Sequence, residues 1–134
     1  MSVDRTYLKS AIAAMLDVLA IEHPLGHQEA YVRRYILTTP SGKRIELMFE
    51  QSAKTPANIW LEASVAGSLL RSWTKHRLSP ASQLYAKPGK NGDPQYGRHS
   101  ALETMPALGT ADLICMQPKT LAEAGAILDH LLGA

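Results

Sequence analysis

"EAYVRRYILTTPSGKRIELMFEQ", residues 29–51, decides the fold. In its second half Ile45, Leu47 and Phe49 alternate with Arg44, Glu46 and Glu50, the period of two expected of a strand with one buried face. Residues 29–38 are rich in aromatic and β-branched types, which fit a pleated surface. Between them Pro40, Ser41 and Gly42 supply turn chemistry, so strands over 29–38 and 43–51 are expected to form a hairpin. Met48 falls on the otherwise charged face, which implies that this face is partly covered as well.

Before the hairpin, Leu8, Ile12, Met15, Leu16 and Leu19 recur at helical spacing and predict a helix over residues 3–21, ended by Pro24 and Gly26 of "EHPLGH". After it, "SAKTPA" is too short to hold a crossover helix, so residues 58–62 are expected to add a third antiparallel strand. "SVAGSLLRSWTKHRL", residues 64–78, shows Val65, Leu69, Leu70 and Trp73 at roughly helical spacing and reads as a helix weakened by Gly67. "SQLYAK" reads as a short strand, "HSALETMPAL" as a helical turn capped by Ser100, and residues 111–116 as the final strand. A closing helix is signalled by Thr120 and Glu123 in capping-box order and by the stripe Leu121, Ala124, Leu128 and Leu131. The expected architecture is α+β: residues 1–134 as one domain, an antiparallel sheet with the N- and C-terminal helices packed on it.

A chain of 134 residues with 46% apolar and 19% charged content is that of an ordinary globular domain, able to bury about two-thirds of its unfolded surface. The lone cysteine, Cys115, cannot form an internal disulfide, and its apolar neighbours mark it as buried, which fits a reducing cytoplasm. Asp4, Lys9, Asp17 and Glu22 interrupt the N-terminal apolar residues, so this segment is read as mature protein rather than a leader. No run approaches the roughly 20 apolar residues of a membrane span. A formal charge of +2 permits a nucleic-acid or acidic-protein partner.

Catalytic and metal signatures are weak. Glu22, His23, His27 and Glu29 offer zinc-type ligands, but Pro24 and Gly26 keep the two histidines off one helical face and no second cluster completes the set. Glu46, Glu50 and Lys54 suggest a magnesium-dependent nuclease, yet the two carboxylates stand about 13 Å apart along a strand and would need Asp93 or Asp112. His99 and Ser100 lack an orienting third group, and neither a nucleophile elbow nor a phosphate loop is present. No metal, cofactor or catalytic residue is therefore assigned.

What remains is a mixture of cations and rings in two stretches. "RSWTKHR" carries Arg71, Trp73, Lys75 and Arg77, and the Gly/Pro-rich "YAKPGKNGDPQYGRHS", residues 85–100, carries Lys87, Lys90, Tyr96, Arg98 and His99. Cations neutralise phosphates and rings stack on bases, so these residues are expected to form a nucleic-acid or anion-binding surface with 85–100 as an exposed, mobile loop. The competing structural reading puts Trp73 and Tyr85 in the core and pairs Arg98 with Asp93 or Glu103. The rival function is a protein-interaction module, an inhibitor or adaptor, anchored by exposed Trp60, Tyr31, Tyr35 or the loop 85–100.

Overall fold

The alternation in the hairpin becomes seven facing residue pairs. The structure, a computed structural model, describes residues 5–86, 88 and 92–134. Strand β2, Val32–Thr38, runs antiparallel to β3, Arg44–Glu50, in a register that sets Val32 opposite Glu50 and Thr38 opposite Arg44. The turn closes through Gly42 at φ 91°, a left-handed conformation that a side chain would strain.

Helix α1, Arg5–Leu19, leads into the two-residue strand β1, Ile21–Glu22, which pairs with the outer edge of β2. Strand β4, Ile59–Glu62, joins β3 as the third antiparallel strand expected from the short preceding loop. Strands β5, Lys75–Ser79, and β6, Leu113–Gln117, complete an antiparallel sheet in the order β1-β2-β3-β4-β6-β5, and helix α2, Leu121–Leu132, closes the fold. The α+β architecture stands as the sequence implied.

The capping residues of α2 act as their spacing suggests. Thr120 Oγ1 accepts the Glu123 N–H at 3.1 Å, and Glu123 Oε1 accepts the Lys119 N–H at 2.7 Å, one residue before the cap. Leu8, Ile12 and Leu16 of α1 and Ile127, Leu128 and Leu131 of α2 pack on Leu37, Leu47, Phe49, Leu61 and Ile114. Each such side chain, fully buried, contributes roughly 1.5–3 kcal/mol.

The opposite face is also buried, by a segment that holds a 3-10 turn at Ser100–Leu102 and no α-helix. Val32, Met48, Trp60, Leu113 and Cys115 are covered by Ala101, Leu102, Met105 and Leu108, with Tyr96 and Ala111 at the margin. Met48 on the charged side of the hairpin was the sequence's trace of this second layer.

Two expected elements are corrected. Residues 64–78 do not form a helix: they make 3-10 turns at Ala63–Val65 and Gly67–Arg71, then enter β5. Gly67 sits at φ +48° against the His130 ring, which breaks helical continuity, and the five residues from Lys75 instead find partners in β6. Residues 81–83 form a 3-10 turn after Pro80, not part of a strand over 82–87.

Candidate functional site

At the end of the loop, Tyr96, Arg98 and His99 bond to the protein itself. Arg98 donates through Nε to Ser79 Oγ at 2.8 Å and through Nη2 to the carbonyls of Ser79 and Ala111 at 2.6 and 2.7 Å. Its Nη1 reaches the carbonyls of Leu108 and Gly109 at 3.3 and 3.4 Å. The guanidinium thus ties the covering segment to the end of β5 and to the carbonyls of residues 108, 109 and 111 that lead into β6, and its acceptors are not Asp93 or Glu103. The Tyr96 hydroxyl donates to the Gly109 carbonyl at 2.7 Å, and burial pushes its pKa up. His99 Nδ1 accepts the Ala101 N–H at 3.1 Å, so His99, not Ser100, caps the turn at Ser100–Leu102. Lys87 and Lys90 lie outside the described residues, while Gly92–Gln95 are exposed.

The acidic residues of the nuclease and metal readings are separated in the same way. Glu46 Oε2 lies 2.8 Å from His23 Nε2, and Oε1 accepts the N–H groups of Ala107 and Leu108 at 3.0 and 3.1 Å. Glu50, buried, accepts from Asn58 Nδ2 and Trp60 Nε1 at 2.9 and 2.7 Å. His27 lies 3.8 Å from Glu22 and has its pKa lowered, mainly by burial. Among the described residues no three His, Cys, Asp or Glu side chains are grouped to hold a metal. Cys115 is buried, and desolvation pushes its thiol up to about 12.

Of the proposed aromatic anchors, Trp60 and Tyr35 are core residues at 3% and 1% exposure, whereas Tyr31 is exposed. The reverse holds for Trp73, which the structural reading put in the core and which is fully exposed. Tyr85, placed with it, is also exposed, edge-on to Tyr96 at 6.2 Å. A continuous helix over 64–78 would have stacked Trp73 above Leu69 and Leu70; the break at Gly67 and the exit into β5 leave it outside.

Trp73 stands two residues before β5, the strand at one end of the sheet, which among the described residues pairs on one side only. Ala63 N–H donates to the Asp112 carbonyl, which extends the β4–β6 ladder and fixes its phase: residues 112, 114 and 116 bond toward β4. Residues 113, 115 and 117 therefore bond toward β5, and their partners Ser79, Arg77 and Lys75 direct their backbone groups inward. The N–H and C=O groups of His76 and Leu78 point to the free edge. Lys75 and Arg77 present their side chains on the Trp60 face, with the Arg77 guanidinium carbon 5.0 Å from the centre of the Trp60 ring. Leu78, on the other face, is 59% exposed, and Leu70 is exposed nearby in sequence.

This edge is cationic without compensation. The ion pairs among the described residues join His23 to Glu46, His27 to Glu22 and Arg33 to Asp17; Arg71, Lys75 and Arg77 have no carboxylate partner among them. At the start of β5 a cleft of about 400 Å³ brings Arg5 and Lys119 beside Lys75 and Gln117, over an apolar floor of Leu8, Pro56 and Ala57. The sequence had named Arg71, Lys75 and Arg77 by composition; the alignment of Lys75 and Arg77 on one face of the edge strand required the strand that the helical reading concealed, while Arg71 ends the preceding 3-10 turn.

Comparison of the chain with protein-family models, curated proteins and solved structures found no match. No helix among the described residues is long and apolar enough to cross a membrane.

Proposed function

We propose that this protein is a non-enzymatic binding module that engages an acidic protein partner through the edge formed by Trp73 and β5. The observation that carries the reading is Trp73 itself: a fully exposed indole with three cations, Arg71, Lys75 and Arg77, within four residues of it in the sequence and without carboxylate partners among the described residues. Water contact over an entire indole is unfavourable, and Trp and Arg concentrate the energy of protein interfaces. Leu70 and Leu78, within five residues of Trp73 in the sequence, are also exposed. The inward bonding of Tyr96, Arg98 and His99 favours the strand edge over the end of the loop as the binding surface.

Nucleic acid is the second reading, favoured by Arg5, Lys75 and Lys119 around one cleft and by the capacity of Trp73 to stack on a base. Affinity capture from native host extract with wild-type protein, Trp73→Ala and Lys75→Glu distinguishes the two. An acidic protein retained by wild type and lost from both variants supports the module reading. Retention of nuclease-sensitive material with a steep salt dependence, and of no protein after nuclease treatment, overturns it in favour of nucleic acid.

A further inference from the structure

We propose that β5 takes up an extended segment of the partner, with acidic and apolar residues alternating, as a seventh antiparallel strand. This deepens the interaction reading above and rests on it. The edge offers two outward sets of backbone donors and acceptors, at His76 and Leu78, framed by Trp73 before the strand and Pro80 just after it. An added strand would pair these groups, and side chains opposite each other across a sheet share a face.

The two faces of β5 then specify the incoming residues. Those alongside Lys75 and Arg77 meet uncompensated positive charge and select Asp or Glu; those alongside Leu78 meet an exposed apolar side chain and select Val, Ile or Leu. A second copy of the chain is the poorer occupant: in the antiparallel two-fold registers that pair His76 of one copy with His76 or Leu78 of the other, Lys75 faces Arg77 or Arg77 faces Arg77, like charges in either case. The same cations guard a bare edge against self-association.

The test uses an end-blocked octapeptide of alternating Glu and Val, with a Lys-Val octapeptide and a block peptide of four Glu then four Val as controls, followed by amide NMR and hydrogen exchange on the intact protein. The Glu-Val peptide should slow exchange of the His76 and Leu78 amides at least tenfold and leave the inward-directed Lys75 and Arg77 amides unchanged; neither control should do so. Lys75→Glu and Trp73→Ala should each weaken binding about tenfold. Leu78→Pro, which removes an outward donor and no ladder donor, should abolish it. If that variant fails to fold, N-methylation of the peptide answers the same question: methyl groups on the Val nitrogens, which face β5, should abolish binding, and methyl groups on the Glu nitrogens should not. Equal binding of all three peptides, or none by the Glu-Val peptide, overturns strand addition. In that event, host-protein capture that still depends on Trp73 leaves the interaction module standing. Concentration-dependent protection of the His76 and Leu78 amides without peptide overturns the proposal in favour of a second copy.

Discussion

Arg98 holds Ser79 twice, through the hydroxyl at 2.8 Å and the carbonyl at 2.6 Å, and so fastens the covering segment to the last residue of the edge strand. Because the remaining donors of the fork are bonded to carbonyls of residues 108, 109 and 111, one side chain sets the position of β5 and of its cover together. Arg98→Ala should lower stability by about 2–3 kcal/mol, the scale of hydrogen bonds to a charged donor. Arg98→Lys should recover only part of this, since an ammonium cannot reproduce the planar fork. Urea unfolding of the three proteins measures the difference, and faster exchange of β5 amides in Arg98→Ala would locate it.

Glu46 is expected to be as sensitive to an amide as to truncation. His23 Nδ1 accepts the Leu25 N–H, so its Nε2 carries the proton that Glu46 receives, while the second carboxylate oxygen takes two backbone N–H groups. Glutamine has one acceptor oxygen for the two sides of this arrangement and would turn a donor toward one of them. Glu46→Gln should cost about 1–3 kcal/mol and Glu46→Ala at least as much, read by thermal unfolding.

Gly109 should tolerate no side chain. A Cβ there would stand 2.6 Å from the Glu103 carbonyl oxygen and 2.9 Å from that of Met105, both backbone atoms that cannot swing away. Gly109→Ala should destabilise the covering layer by about 1–3 kcal/mol, the cost of an overpacked site. Limited proteolysis should then cut within residues 96–111 before it cuts the helices.

Alkaline pH should weaken the fold in a defined window. Burial, with donation to Asp17 at 2.7 Å, raises the Tyr35 hydroxyl from an ordinary 10.0 to about 12, and burial raises Cys115 from 9.0 to about 12. Raised values mean that the fold favours the protonated forms. Their contribution is complete below the unfolded values and is lost as pH climbs through the folded ones, from about 9 to about 12. Denaturant midpoints across this range should fall, and Tyr35→Phe should flatten the part above 10.0. A thiol reagent applied below pH 9.0 should label Cys115 only as fast as the sheet opens.

The elements legible in the sequence are those whose burial has one simple period. The hairpin alternates because one face meets the helices, and α2 carries its own cap. β5 lacks such a pattern: as an edge strand it leaves Lys75, Arg77 and Leu78 all exposed, and the spacing of Val65, Leu69 and Trp73 imitates a helix that Gly67 interrupts. The second layer was nearly silent because it is irregular. Its backbone groups are satisfied by Glu46 from β3 and by Arg98 and Tyr96, pairings that depend on distant chain neighbours rather than on any local repeat.

The strand order also dictates when the molecule can be completed. β6 lies between β4 and β5 in the sheet but follows both in the chain, and the residues that cover Trp60 likewise come after it. A chain emerging from its N-terminus must therefore hold β5 without any partner until residues 113–117 arrive, and then close both gaps at once. Such late, long-range closure makes folding slow relative to a local hairpin and leaves the half-made chain open to wrong pairings. The charges of Lys75 and Arg77 disfavour such wrong pairings of the waiting strand until β6 arrives.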